Sequence, residues 1–323
     1  MGAGGFTGVS KKIISQGMKR IYKWGCVSLL GGLMGCQSLE SPLSRPKDSL
    51  KAGEIRISVD ESFRPVMEEE LKVFNSSNPG AHIIVSYKPE ASCLKDLQND
   101  STRMIFVTRG LHKDEEDYYK AKLQYYAAFE VLAYDAVAVI VNAASPDSVF
   151  TPEQVSQVLQ GKFSKPYTAV FDGLNATSTV RFALDSILKG GAFAPGSVFA
   201  AENSTGVISY VASHPDAVGF VGVDWIGNPE DSIQDGYRKK VRIVSLQCGE
   251  CPGKPFVQPY QEEILTKRYP FTRGLYYIIK ENYEGLGTGL VDFLKYERGQ
   301  LIFRRAYLVP AILPFIVRNA KVQ

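Results

Sequence analysis

The sequence has few of the residues that mark disulfide scaffolds, metal sites and nucleic-acid-binding surfaces. Among 323 residues there are only five cysteines and three histidines. Five cysteines exclude a disulfide-dense small scaffold. The net charge is +3, but five basic residues and no acidic residue fall within positions 1–35. The rest of the chain is therefore slightly acidic, which excludes a basic nucleic-acid-binding protein by composition.

Motifs of known catalytic families are also missing. The chain has no GxSxG nucleophile elbow, no P-loop, no HExxH pair and no dinucleotide-binding glycine pattern. Paired carboxylates such as Glu115 and Glu116 lie in solvated charge runs, and the histidines lack the spacing of metal ligands. We therefore expect no enzyme, no cofactor and no metal site, and the sequence favours a binding protein.

A short apolar segment near the N-terminus resembles an export signal. Residues 18–36 place a basic stretch ahead of about a dozen mostly apolar residues, whereas a membrane-spanning helix needs roughly 20. The segment ends at Cys36 in the letters LMGC, which are similar to a bacterial lipoprotein cleavage box and predict a lipidated cysteine. The alternative is an ordinary buried thiol. We expect translation to begin at Met18, with residues 1–17 untranslated and residues 37–52 forming a tether.

Strand and helix patterns alternate from residue 54 onward. Apolar and polar residues alternate over residues 55–59, and residues 131–142 form a β-branched apolar run that is typical of a buried strand. Segments with helical spacing lie between the strands, and one begins with a capping-box sequence at Thr151–Gln154. This alternation predicts an α/β protein with mostly parallel sheets and helices on both faces.

Two polar loops between a strand and a helix suit an anion. The first covers residues 60–64 and the second residues 171–179. Each places hydroxyl and free N–H groups at a helix N-terminus, which carries partial positive charge. In the second loop, Thr177–Thr179 precede a predicted helix over residues 179–189, and Arg181 adds positive charge. Ordinary N-capping by these serine and threonine residues is the alternative.

Cys248 and Cys251 form an isolated CxxC pair. No second pair completes a zinc site, and the prolines that follow predict a loop rather than the helix start of a redox motif. In an exported protein we expect a local disulfide here, while free thiols are the alternative. Cys93 is then an unpaired, buried thiol.

Three longer segments resemble the phosphate ABC-transporter substrate-binding family. Residues 135–163 resemble its strand, Asn-Pro turn and Thr-x-Glu-Gln helix start, and residues 203–226 its next helix and strand. Residues 269–310 resemble its Tyr-Pro-x-x-Arg strand and closing helix. The resemblance covers most of residues 53–315. It implies a two-lobed periplasmic-binding-protein fold of type II, with the ligand in the cleft between the lobes.

The resemblance also implies where each lobe and the ligand site lie. Lobe one would comprise residues 53–134 and 252–323, and lobe two residues 135–251. Three loops would hold the ligand, and with Arg181 they give these candidates: Glu61, Ser62, Phe63, Thr108, Arg109, Thr177, Ser178, Thr179 and Arg181. Two family positions differ. Gly173 stands where the family has an arginine. The family also has an aspartate that accepts the proton of monohydrogen phosphate, and here the carboxylate nearest to that position in the sequence is Asp100.

The function implied by this resemblance is the binding of a ligand for transport, with no bond made or broken. We expect a monomeric, lipid-anchored protein, periplasmic or on the surface of a bacterial membrane, that binds phosphate or a related oxyanion. It would pass this ligand to the permease of an ABC transporter. One alternative is a surface lipoprotein of the same fold that senses or scavenges another ligand. A secreted hydrolase is the other alternative, and it ranks last.

Overall fold

The computed structural model describes residues 48–173 and 177–312. The predicted signal peptide, Cys36 and most of the predicted tether lie outside these residues. The helices are α1 (Arg64–Ser77), α2 (Glu90–Leu97), α3 (Lys113–Leu123), α4 (Pro152–Leu159), α5 (Ser178–Phe182), α6 (Ser204–Ser213), α7 (Ser232–Arg238), α8 (Gln261–Leu265), α9 (Leu286–Lys295) and α10 (Glu297–Arg305).

Strands alternate with these helices along most of the chain. They are β1 (Ala52–Asp60), β2 (Gly80–Lys88), β3 (Thr102–Val107), β4 (Ala128–Asn142), β5 (Val149–Phe150), β6 (Thr168–Phe171), β7 (Val198–Ala200), β8 (Ala217–Gly222), β9 (Val241–Ile243), β10 (Ser245–Gln247), β11 (Phe256–Val257), β12 (Thr272–Ile279) and β13 (Val309–Pro310). The α/β class predicted from the alternation is therefore confirmed.

One large sheet organises the described residues. Its strand order is β2-β1-β3-β12-β4-β8-β6-β7, and β9 and β13 also pair with β4. The strands β1, β2 and β3 are parallel to one another, as are β6, β7 and β8. Strand β4 joins the two groups, because its first half pairs antiparallel with β12 and its second half with β8. Residues from both groups can therefore meet along β4 and β12.

Local sequence signals fix several element boundaries. The capping box at the start of α4 is formed as predicted, with Gln154 N donating to Thr151 Oγ1 at 3.1 Å and Thr151 N donating to Gln154 Oε1 at 2.8 Å. Pro65 lies in the first turn of α1, where its missing N–H costs no hydrogen bond. The helix predicted over residues 179–189 is shorter, since α5 ends at Phe182 and a wider helical turn, Ala183–Ile187, follows.

Each group of strands has its own apolar core. Helices α1 and α9 bury Met67 and Leu290 against Ile57 of β1. In the other group, Phe171 of β6 stacks on Phe220 of β8 with ring centroids 4.6 Å apart. The described residues belong to one compact unit, so the division into lobes stays a prediction. Across residues 48–173 and 177–312, no helix combines the length and apolar character needed to cross a membrane.

The CxxC pair lies in a loop between β10 and β11. The Sγ atoms of Cys248 and Cys251 are bonded to each other, and their Cα atoms are 5.4 Å apart. Pro252 and Gly253 follow in a turn, so the pair does not open a helix. Cys93 is free and buried in α2, and burial raises the pKa of its thiol, which keeps it unreactive.

We expect the Cys248–Cys251 bond to persist in the exported protein. Intact mass analysis of the unreduced protein should show this peptide two hydrogens lighter than the dithiol. Because the closed loop is very short, reduction should lower the free energy of unfolding less than it would for a long loop. Two alkylatable thiols at these positions in freshly exported protein would contradict the prediction.

Candidate functional site

A buried arginine on β12 is the centre of the candidate site. Arg273 lies directly opposite Asp135 of β4 in the antiparallel register. Its Nε donates to Asp135 Oδ2 at 2.8 Å, and the two side chains are 3% and 0% exposed. Burial raises the pKa of the Asp135 carboxyl, and the charge of Arg273 opposes that rise. The ion pair places one guanidinium in a region that water does not reach.

Two predicted loops meet at this arginine. Arg273 Nη1 donates to Ser178 Oγ at 2.9 Å, and Ser178 Oγ lies 3.1 Å from Ser62 Oγ. Ser178 is the first residue of α5, and Ser62 lies in the turn between β1 and α1. Neither serine is exposed. The structure therefore brings together two of the predicted ligand residues from distant parts of the sequence.

An acceptor and a donor remain unused beside the two serines. Asp60 Oδ1 accepts from Ser62 N at 3.0 Å. Asp60 Oδ2 and Arg273 Nη2 are both buried and have no hydrogen-bond partner among the described residues. Burial and the nearby charge of Glu90 raise the pKa of Asp60 to about 7, while Arg273 acts in the opposite direction. The site can thus accept one hydrogen bond at Asp60 Oδ2 and donate another from Arg273 Nη2.

The Glu90 carboxylate accepts hydrogen bonds from a second group of donors. This residue begins α2, and its carboxylate is buried. Its Oε1 accepts from Thr108 N at 2.9 Å and from Thr108 Oγ1 at 2.6 Å, and Arg181 Nε donates to Oε2 at 2.5 Å. Arg181 Nη2 also donates to Thr108 Oγ1 at 2.6 Å. Two predicted ligand residues, Thr108 and Arg181, therefore bind an internal carboxylate.

The remaining predicted ligand residues have internal partners as well. Arg109 pairs with Glu115 of α3 through two hydrogen bonds of 2.6 and 2.8 Å. Thr177 caps α5 by accepting from Val180 N at 3.3 Å. Thr179 Oγ1 donates to the buried Asp172. The capping alternative therefore applies to Thr177, while Ser178 makes no cap.

The first loop adds Glu61 and Phe63. Glu61 Oε2 accepts from Ser204 Oγ of α6 at 2.8 Å. Phe63 is fully buried, and the guanidinium carbon of Arg273 lies 5.3 Å from the centre of its ring. Phe63 thus covers the arginine with an apolar surface, which strengthens the electrostatic interactions beneath it. Among the described residues, no group of three or more His, Cys, Asp or Glu side chains could hold a metal ion.

Comparison with known proteins identifies the family of this chain. The profile described as PBP superfamily domain matches residues 45–297. The chain belongs to the PBP superfamily. No curated protein matches it significantly.

Solved structures show the same periplasmic-binding-protein fold. A putative phosphate ABC transporter substrate-binding protein with bound phosphate from Clostridium perfringens is 20% identical with a TM-score of 0.67, over 80% of this chain and 100% of that one. An ABC-type phosphate transport receptor from Vibrio cholerae is 17% identical with a TM-score of 0.60, over 79% and 99%. The OxyR2 regulatory domain from Vibrio vulnificus is 10% identical with a TM-score of 0.50, over 76% and 95%. The predicted fold is confirmed.

The charged centre of this PBP-superfamily chain has no local signal in the sequence. Arg273 lies in the Tyr-Pro-x-x-Arg segment and Asp135 begins the segment 135–163, but no sequence pattern pairs them. Asp100, the carboxylate considered nearest to the acceptor position, is 89% exposed and pairs with Lys122 at 2.9 Å. The buried carboxylate that contacts the first serine is instead Asp60, whose Oδ1 accepts from Ser62 N.

Proposed function

We propose that the chain is the substrate-binding protein of an ABC transporter and that its ligand is a singly protonated oxyanion such as monohydrogen phosphate. The observation that carries this proposal is the unused pair beside Ser62 and Ser178: the acceptor Asp60 Oδ2 and the donor Arg273 Nη2. Both solved phosphate-transport proteins described above share the fold.

The unused acceptor favours phosphate over sulfate. An ionised carboxylate accepts hydrogen bonds but cannot donate them, so it can bind an oxygen that carries a proton. Monohydrogen phosphate has such an oxygen, whereas sulfate at neutral pH has none and would face the Asp60 charge directly. The donors on the opposite side would be Arg273 and the two serine hydroxyls, which would exchange their mutual hydrogen bond for bonds to the ligand.

No bond is made or broken in this function. The site holds donors, acceptors and charges, and the proposed role of each is to bind and release an anion before delivery to a permease. We therefore propose a binding protein rather than an enzyme. The candidate ligand residues come from β1, α5 and β12, so relative motion of the two strand groups would open and close the site.

A second candidate function is sensing or scavenging of another ligand by the same fold. It is favoured by Glu90, whose carboxylate already takes the donors of Thr108 and Arg181 that an oxyanion would use. A dianion has to displace this internal carboxylate or bind without those donors. The OxyR2 regulatory domain also shares the fold, so the fold by itself does not select transport.

We also propose that Cys36 anchors the protein to a bacterial membrane through lipid. Cys36→Ala should release the protein from membranes or stall its processing, because the thiol is the acceptor of the lipid. Fractionation of cells that express the parent and variant proteins checks this. A Cys36→Ala protein that is cleaved normally and still sediments with membranes would contradict the prediction.

We expect Ser178→Ala and Arg181→Ala each to weaken oxyanion binding by about tenfold or more. Ser178→Ala removes the hydroxyl that Arg273 orients, and Arg181→Ala removes a charge-assisted contact. Calorimetric titration with phosphate measures the effect. Thr177→Ala is the matched control, because it removes a cap and should cost about 1 kcal/mol of stability with little change in affinity.

Glu90→Gln separates ligand binding from internal pairing at Arg181. If an oxyanion competes with the Glu90 carboxylate, the neutral amide should leave phosphate affinity unchanged or raise it.

Unchanged affinity in both Ser178→Ala and Arg181→Ala, for a parent protein that does bind phosphate, would remove α5 from the site.

A further inference from the structure

Glu90 joins the two groups of strands through a carboxylate that belongs to the chain itself. It lies on α2, which packs against β1 and β3. Its partner Arg181 lies on α5, which follows β6 of the other group. The guanidinium donates to both carboxylate oxygens, from Nε to Oε2 at 2.5 Å and from Nη2 to Oε1 at 3.3 Å. This forked ion pair therefore ties one group of strands to the other.

Thr108 completes the set of donors around the carboxylate. Its backbone N and its Oγ1 both donate to Glu90 Oε1, at 2.9 and 2.6 Å. The Glu90 side chain is only 2% exposed. Burial raises the pKa of this carboxyl, but the hydrogen bonds and charge of Arg181, together with the hydrogen bonds of Thr108, outweigh burial and lower it. Glu90 is therefore ionised at neutral pH.

These donors are of the kind that hold a free anion. Guanidinium, hydroxyl and backbone N–H groups are the groups with which proteins bind oxyanions. The two oxygens of a carboxylate present the same acceptor pair to a guanidinium as two oxygens of a phosphate do. Thr108 and Arg181 are both candidate ligand residues, so Glu90 takes the donors that an external anion would use.

Stabilisation of the start of α2 does not explain this arrangement. An acidic side chain in the first turn of a helix usually interacts with the free N–H groups there. In α2, Ser92 N and Cys93 N donate instead to the backbone oxygen of Pro89, at 2.9 and 3.2 Å, and no side chain caps the helix. The Glu90 carboxylate binds donors outside its own helix.

The two ion pairs of the site differ in their access to solvent. In the Arg273–Asp135 pair, the side chains are 3% and 0% exposed. The Arg181 side chain is 35% exposed, so a dissolved anion can reach it. Its Nη1 also lies 3.5 Å from Asp185 Oδ2, which offers the guanidinium a second partner. The Glu90–Arg181 pair can therefore exchange partners, whereas the Arg273–Asp135 pair is fixed.

The charge of Glu90 also acts on the serine site. Burial and this charge both raise the pKa of Asp60, whose Oδ1 accepts from Ser62 N. A dianion near Ser62 would meet the same negative field. Like charges that share one guanidinium in a buried site repel each other strongly. An oxyanion and the Glu90 carboxylate therefore exclude each other at Arg181.

We propose that Glu90 is an internal ligand, which holds the two groups of strands together and leaves Thr108 and Arg181 when an oxyanion binds. This rests on the proposed function, because it assigns the regulation of the same site. Since the chain supplies the bridging carboxylate, closure does not require an external anion. Return of Glu90 to Arg181 favours release of the bound oxyanion.

Small-angle X-ray scattering of the protein without phosphate tests the internal ligand. The purified protein is unfolded in urea and refolded in phosphate-free buffer, which removes any anion carried over from the cell. We expect Glu90→Ala to have a larger radius of gyration than the parent protein, because the two groups of strands separate. Glu115→Ala is the matched control. It also breaks a two-bond arginine pair, but its partner Arg109 directly follows β3, as does α3 itself, so the radius should stay that of the parent.

The ligand-free samples decide whether Glu90 holds the protein closed. A Glu90→Ala protein that is more extended than both the parent and Glu115→Ala supports the proposal, and equal radii of all three overturn it. The parent protein alone gives a test that does not depend on the folding of a variant. If the refolded parent is extended and becomes compact only after phosphate is added, closure requires the external anion, and the proposal is overturned.

Phosphate titration of the same samples separates this proposal from the proposed function. We expect Glu90→Ala to bind phosphate about tenfold more tightly than the parent, because the competing carboxylate is gone. Weaker binding than in the parent overturns the competition. An extended Glu90→Ala protein that binds no phosphate keeps the internal closure and contradicts the oxyanion function. A compact Glu90→Ala protein that binds phosphate does the reverse.

Discussion

Replacing Arg273 by methionine should lower the free energy of unfolding by about 3–5 kcal/mol, the usual cost of removing one partner of a buried ion pair. Methionine keeps the length and apolar contacts of the side chain, but Asp135 is left fully buried and without its partner. Ser178 also loses the donor at 2.9 Å. Since small domains are stable by only about 5–15 kcal/mol, the variant should unfold at a much lower urea concentration.

The double variant Asp135→Asn with Arg273→Met provides the internal check. Because it removes the uncompensated charge, it should recover part of the stability lost in the single variant. Arg56→Met is the matched control, since Arg56 lies on an exposed position of β1 and should change stability by less than about 0.5 kcal/mol. Equal urea midpoints for the Arg273 and Arg56 variants would show that the ion pair is not central to the fold.

Replacing Asp60 by asparagine should stabilise the protein at a pH above the Asp60 pKa of about 7. The folded state holds this proton up to a higher pH than the unfolded chain does, whose aspartates titrate near pH 4. The free energy of unfolding therefore falls as pH rises from about 4 to 7, and the penalty is complete above that range. Removal of the carboxyl should recover roughly 4 kcal/mol at most, from the size of the shift.

Denaturant unfolding of the parent and Asp60→Asn proteins across this pH range measures the difference. The two curves should coincide below about pH 4 and diverge steadily toward neutral pH. Asp117→Asn is the control for the loss of an aspartate charge as such, because Asp117 is exposed. An Asp60→Asn protein that is less stable than the parent at every pH would contradict a raised pKa.

Much of the framework could be predicted from the sequence because its signals are local. The alternation at Ile55–Val59, the apolar run of β4 and the capping box of α4 each depend on neighbouring residues, and the structure has all three. The two polar loops were also predicted, and Ser62 and Ser178 do meet. Ser62 follows β1 and Ser178 follows β6, and these two strands belong to different groups of the sheet, so the fold and not the local pattern brings the hydroxyls together.

The charges of the site could not be predicted because their partners are distant in sequence. Arg273 and Asp135 are 138 residues apart and are joined only by the register of β12 on β4. Helix α2 was not predicted, since its eight residues bury only Cys93, Leu97 and Glu90 and give little periodicity. Without α2, the carboxylate that binds Arg181 across 91 positions could not be anticipated.

Titration calorimetry of the purified protein with phosphate and with sulfate tests the central claim most directly. The measurement belongs at about pH 8, above the Asp60 pKa of about 7, where the carboxylate is ionised and can accept a hydrogen bond from the ligand. We expect phosphate to bind at least about tenfold more tightly than sulfate, and Asp60→Asn to remove this preference. Equal or tighter binding of sulfate, or no binding of either anion, would contradict an oxyanion site built around Asp60, Ser62, Ser178 and Arg273.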